Sequence, residues 1–181
     1  MDGNTATHSR TDRSGFRPPC PIHCNPARKV RLPCCPAICT TEGCHGRILL
    51  PQLLDGTRLL VLQGERVANP DFYPMLRSLD FNNLPDQSAM AAITFCDVVI
   101  SHEPFSNGLL FHEFVHVEQY RQVRIPRFSE LYVRGFLNGG SYEAIPLEVN
   151  AYTLGARFEQ NPANRFSVAD EAGRWIAEGR F

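Results

Sequence analysis

Leu109-Leu110-Phe111-His112-Glu113-Phe114-Val115-His116-Val117-Glu118-Gln119-Tyr120-Arg121 is a strongly apolar run carrying the order His-Glu-x-x-His. Neither Pro nor Gly interrupts the sequence from Leu109 to Ile125. Ser106 and Asn107 precede it as candidate N-caps, and Arg121 and Arg124 stand near its end, where cations suit the helix dipole. The spacing predicts a buried helix of about 14 to 16 residues. On such a helix, residues four apart differ by roughly 40° in bearing and about 6 Å in rise. His112 and His116 then stand one above the other, where both imidazoles can reach a single ion. Zinc suits such a site, because it accepts neutral imidazole and three protein ligands plus water. Glu113, beside the first histidine, can take a proton from a water at the metal.

A plainer reading keeps both histidines as core residues satisfied by hydrogen bonds. With six His and eleven Glu in the chain, chance produces the pattern in roughly one such chain in a hundred, so the bare match decides little. The context decides more. A buried helix does not favour two imidazoles and a carboxylate unless something compensates their desolvation, and a metal ion does so.

The 181 residues allow one domain with a real core, plus a tail. The net charge of −1, with Lys and Arg dispersed, gives no ground for nucleic acid or an anionic membrane as partner. No apolar run approaches the length of a membrane span. The first thirty residues are polar, prolyl and basic, without an apolar leader core, so the default expectation is cytoplasmic.

Residues 1–46 differ in composition from residues 47–181, and the boundary divides an extension from a single folded domain. Cys20, Cys24, Cys34, Cys35, Cys39 and Cys44 all lie in the extension, and only Cys96 lies beyond it. With His23 and His45 nearby they admit a second zinc site, but the spacing fits no regular ribbon or finger. A disulfide framework and an extension without fixed structure are the other readings.

In the domain, Ile48-Leu49-Leu50 and Leu59-Leu60-Val61-Leu62 flank Asp55-Gly56, which suggests strands or a hairpin, with helical pairing of the same leucines as the near-equal alternative. Asn69-Pro70-Asp71 opens a short helix running to Leu79. The β-branched run Ala91–Ile100 predicts one or two strands broken near Cys96-Asp97. Pro126 starts a helix with Phe128, Leu131, Tyr132 and Phe136 at helical spacing, which stops at Gly139-Gly140. Pro146 starts another, in which Leu147, Ala151, Leu154 and Phe158 form the buried stripe, ending at Asn161-Pro162. Val168–Ala177, with Trp175, is the last.

A catalytic zinc usually has three protein ligands, and no His or Cys follows His116. The candidates are Glu118, Glu130, Glu143, Glu148, Glu159, Asp170, Glu171 and Glu178. Glu148, at the start of a helix 32 residues after His116, is the best placed, because the stripe of Leu147 and Ala151 fixes its orientation. Glu143 is the rival; it precedes Pro146 and is aimed less rigidly.

His112-Glu113-Phe114-Val115-His116 followed by Glu148-Val149-Asn150-Ala151 resembles the gluzincin metallopeptidases, in which HExxH is paired with a downstream Glu-x-x-Ala. More narrowly, the stretches 112–121 and 145–152 resemble uncharacterised bacterial domains grouped with the zinc metallopeptidases, over about residues 88–160. The resemblance implies His112, His116 and Glu148 as zinc ligands and Glu113 as catalytic base. This chain departs from the larger gluzincins in lacking the second lobe that walls their substrate cleft. It also has no clear second histidine or tyrosine for the oxyanion; Tyr152 is the candidate for that role, with Tyr142 beside it.

The expected architecture is α+β: a small zincin-like domain whose short antiparallel or mixed sheet includes residues 91–101 and packs on a helical layer with the HExxH helix central. The expected function is hydrolysis of a peptide or protein substrate, with an exposed strand near residues 97–101 holding the substrate by β-addition. A zinc-binding or partner-recognition domain without turnover, and a helical interaction domain with a fortuitous motif, are the alternatives.

Overall fold

A computed structural model describes residues 48–161 and 166–181. The extension 1–46 with its six cysteines lies outside the described residues, as does Pro162 of the expected helix stop. The β-branched run splits where its pattern breaks, into β2 (Ala92–Phe95) and β3 (Val98–Ser101). They pair antiparallel, with Ala92 opposite Ser101 and Phe95 opposite Val98. Cys96, half-buried at the two-residue turn between them, takes φ 60, the left-handed conformation that tight hairpin turns require.

Two expectations fail here. Ile48–Leu50 and Leu59–Leu62 form no hairpin. Pro51 presets the first turn of a helix, α1 (Pro51–Gly56), which buries Leu53 against the same core as Leu49. The second run does form a strand, β1 (Arg58–Val61), but pairs parallel with β3, Arg58 opposite Val98. The sheet is therefore mixed, in the order β1-β3-β2. The second failure concerns residues 97–101, which are no exposed edge. β3 is the central strand and all four of its residues are buried, as a continuous apolar run implies when both faces are covered. Among the described residues β1 and β2 are the two edge strands, and β2 is the one that packs on α3.

The helix opened by Asn69-Pro70-Asp71 begins later than expected, as α2 (Tyr73–Ser78), and the polar loop after it ends in a single 3-10 turn, Gln87–Ala89. His102 ties this region together. Its Nε2 accepts the Val67 N–H at 2.9 Å and its Nδ1–H donates to the Met90 carbonyl at 2.6 Å.

α3 (Asn107–Gly139) carries the HExxH motif and packs against β2, α1, α4 (Pro146–Gln160) and α5 (Val168–Ala177). Ser106 caps it, its Oγ accepting the Leu109 N–H at 3.1 Å. Its geometry breaks at Arg124 (φ 67, ψ 163), two residues before Pro126, whose ring and missing N–H exclude a regular helical bond to the Gln122 carbonyl. Pro126 then starts the second half, and Gly140 at φ 70 closes it with its N–H on the Phe136 carbonyl at 2.9 Å. This half meets the start of α4 at Gly135. A Cβ there would lie 2.6 Å from Pro146 Cδ, so only glycine allows the approach.

The stripe expected on α4 is the observed one: Leu147, Ala151, Leu154 and Phe158 are all buried. Phe158 stacks on Phe111 of α3, centroids 4.3 Å apart, in a core completed by Phe114, Val115, Val99 and Val168. A second cluster joins Phe128 and Leu131 to Ile145 and Leu147. The molecule is thus an α+β fold with the motif helix at its centre. Among the described residues, no helix is long and apolar enough to cross a membrane.

Candidate metal centre

His112 and His116 lie one turn apart on α3, ring centroids separated by 4.7 Å. α4 crosses that face with Glu148 in its first turn. The Nε2 atoms of the two histidines are 3.1 Å apart, and each is 3.3 Å from Glu148 Oε2. Three donor atoms so placed form one face of a tetrahedron. Around an ion bound at about 2.0 Å, tetrahedral geometry sets each edge at about 3.3 Å. Glu148 is 2 % exposed, and its Oε2 is buried without a hydrogen-bond partner; both imidazoles approach it without hydrogen-bond alignment. A buried carboxylate oxygen without a hydrogen bond is costly, and a cation at this point offsets the cost. The group can hold a metal ion.

The remaining ligand candidates are engaged elsewhere or lie apart. The Glu118 carboxylate takes two bonds from Arg121, at 2.7 and 2.6 Å, and one from Gln122. Glu130 pairs with Arg127, Glu171 with Arg157 and Arg174, and Glu178 with Arg180. Glu143 is exposed on the rim of the cleft described below, outside the donor group.

The charges in this cluster act strongly on one another. Burial pushes the His116 imidazole down, but the charge and contact of Glu148, with the charge of Glu113 and the contact to Gln119, together outweigh it and raise the group to about 9. Burial would raise Glu148, yet the neighbouring His116 and His112 hold it well below the usual carboxylate range.

Gln119, fully buried one turn beyond His116, orients that imidazole. Its Nε2 lies 3.0 Å from the Leu147 carbonyl and 2.9 Å from Asn150 Oδ1, and its Oε1 is 2.9 Å from His116 Nδ1. The Leu147 carbonyl can only accept, so the amide nitrogen must face it and the amide oxygen must face the ring. His116 Nδ1 therefore carries a proton in either ionisation state, and Nε2 is the nitrogen left to meet an ion. The same amide ties α3 to the carbonyl just before Glu148.

Glu113 points the other way, towards the sheet. It is buried, and its Oε2 accepts the Thr94 hydroxyl of β2 at 2.6 Å. Two cavities open on either side of it. One, of 310 Å³, is walled by Thr94, Phe95, Phe128 and Tyr132 as well as His116 and Glu148. The other, of 620 Å³, includes His112, Tyr152, Asp86, Glu143 and Glu159. Glu113 and Tyr142 belong to both. Tyr152 is half-exposed on the lip of the larger cavity, its ring 4.6 Å from that of His112. Burial, then the Glu148 charge, pushes the Tyr132 and Tyr142 hydroxyls up, which keeps both protonated as donors.

Among the described residues, His112, His116 and Glu148 thus form the donor group, with Glu113 and Tyr152 beside it. Gln119, Thr94 and Tyr132 were not anticipated as site residues. Gln119 carries a legible signal, since it lies three residues beyond His116 on the same helix face. Tyr132 is hidden in an apolar stripe, and nothing local marks Thr94. No protein-family model, no curated protein and no solved structure matches this chain.

Proposed function

We propose that the chain is a zincin-like zinc metallopeptidase of the gluzincin kind, with His112, His116 and Glu148 holding zinc and Glu113 as general base. The observation that carries this reading is the convergence of two Nε2 atoms and one unpartnered, buried carboxylate oxygen at 3.1–3.3 Å. Two imidazoles and one carboxylate on a helical frame, with an open side, form a donor set that suits zinc in a hydrolytic role. Zinc, when bound there, supplies a Lewis acid that polarises a carbonyl and acidifies a water.

The chain's own groups supply the rest. The Thr94 hydroxyl holds the Glu113 carboxylate between the two cavities, where it accepts a proton from the attacking water and returns it to the leaving amine. Tyr152, Tyr142 and Tyr132 surround the reacting position as hydroxyl donors, and we assign the stabilising contact to the developing oxyanion to Tyr152 or Tyr142. The outer edge of β2, without a strand partner among the described residues, runs beside the site and takes an extended peptide by main-chain pairing.

The test is metal analysis of the purified chain together with hydrolysis of casein or a peptide, with and without chelator, for the parent and Glu113→Gln. About one zinc per chain, and hydrolysis lost in the variant and with chelator, is the expected result. Protein that holds no metal and gains no thermal stability from added zinc overturns the reading. A metal-loaded parent without hydrolysis leaves a binding domain instead.

A further inference from the structure

We infer that two exposed apolar stripes, one along α2 and one along the second half of α3, form a single face that pairs with the same face of a second copy of this chain. The inference rests on surface residues and is independent of the metal centre. The first stripe is Phe72, Met75 and Leu79, at helical spacing along α2 and its two caps, continued by Phe81 in the loop. The second is Val133 and Leu137, four residues apart on α3. All six are exposed, from 42 % at Phe81 to 61 % at Leu79. The inward side of α3 is already apolar here, with Phe128, Leu131 and Gly135 buried. A surface helix ordinarily turns charged residues outward, so Val133 and Leu137 give this half of α3 a second apolar side.

The two stripes adjoin. Phe72 and Val133 border the same cavity, and Asn83 Nδ2 donates to the Gly140 carbonyl at 3.2 Å, which brings the loop after Phe81 to the end of α3 beyond Leu137. Each of the six side chains leaves on the order of 100 Å² uncovered, so the face offers about 600 Å² of apolar surface. A standard interface buries about 800 Å² on each partner, about 65 % of it apolar where the subunits are identical. The face therefore supplies the whole apolar part of a dimer interface. In such a pairing one patch must complement itself, and the charges at its margin allow this. Arg77 and Asp80 stand beside the α2 stripe, and Glu130 and Arg134 beside Val133, so a twofold axis can set opposite signs against each other. A lipid surface fits worse. Residues 47–181 hold sixteen Asp and Glu against twelve Arg, and anionic headgroups repel that excess.

Sedimentation velocity of the full chain tests the pairing. The chain should sediment as a particle of twice 20.4 kDa, with a dissociation constant of about 10 µM or tighter. Hydrogen exchange followed over the same concentrations should show residues 72–81 and 129–139 gaining protection as the dimer forms. Val133→Arg and Leu79→Arg, made separately, should each weaken association by at least about a hundredfold, because each puts a cation into the buried face of both copies. Both side chains are exposed in the single chain, so at a dilution where all are monomers the variants should melt with the parent. Leu60→Arg, at an exposed apolar residue of β1, should leave the dimer intact. A chain still monomeric at about 100 µM overturns the inference, whether residues 72–81 are protected from the outset, as by the extension, or remain open to another partner. A dimer that survives both Arg variants at parental strength uses another interface and overturns it too.

Discussion

Glu148 and Glu143 differ by five positions and a proline, and the fold gives them unlike surroundings. Glu148 is buried with its Oε2 facing two imidazoles, whereas Glu143 is exposed. Glu148→Ala should lower zinc affinity by an order of magnitude or more, and Glu143→Ala should stay within a few-fold of the parent. Release of metal by the Glu143 variant alone, in a competition titration, would reverse the assignment. At Gln119 the amide both fixes the proton on His116 Nδ1 and grips the Leu147 carbonyl. Gln119→Leu removes both and should weaken zinc binding by about 10- to 100-fold. Gln119→Glu keeps the acceptor for the ring and should recover part of the loss; equal affinity for both variants would show that the contact to His116 is immaterial.

At the scale of elements, the break in α3 and its approach to α4 carry the strain of the fold. Arg124 sits at φ 67, ψ 163, a region essentially reserved for glycine, where other residues are destabilised by about 1–3 kcal/mol. Arg124→Gly should relieve this, less the extra chain entropy of glycine in the unfolded state, for a net gain of about 0.5–2 kcal/mol in a denaturant titration. A loss of stability would mean that the Arg124 side chain contributes more than its backbone costs. Gly135 is the opposite case. A methyl there meets Pro146 Cδ at 2.6 Å, so Gly135→Ala should destabilise by about 1–3 kcal/mol through overpacking. Because Pro146 opens the helix that carries Glu148, the same variant should also weaken metal binding, and retained affinity would uncouple the two.

For the whole molecule, the donor group spans two helices whose packing forms the centre of the domain. His112 and His116 come from α3 and Glu148 from α4, so an ion bound by all three joins the helices in the folded state only. Zinc at a hundredfold excess over its dissociation constant should stabilise the fold by about 2.7 kcal/mol, raising Tm by several degrees, and chelator should reverse the rise. An unchanged melting curve would remove the proposed site. Beneath the donors, Phe111 is 1 % exposed and stacked on Phe158. Phe111→Ala should cost about 3–5 kcal/mol and, by loosening α3 against α4, weaken metal binding as well.

The sequence by itself determined the three long helices, the break in the β-branched run and the candidate residues His112, Glu113, His116 and Glu148, because each is written in local spacing. Two histidines four apart share a helix face whatever surrounds them. Pro146 with Leu147, Ala151, Leu154 and Phe158 states both the start and the buried side of α4, and hence the side on which Glu148 stands. The β-branched run broken at Cys96-Asp97 allows one or two strands, and two are observed. Partnership between distant segments was decided only in three dimensions. Leu59–Val61 can pair with any neighbouring strand, and the choice of β3, in parallel, follows from how the sheet and α3 close around Val99, which no short window contains. The same closure placed residues 97–101 in the centre of the sheet and left β1 and β2 at its edges among the described residues. Thr94 reaches Glu113 across 19 residues and Gln119 reaches Asn150 across 31. Such contacts leave no periodic trace, because a hydrogen bond between two packed elements depends on their relative placement and not on the spacing within either one.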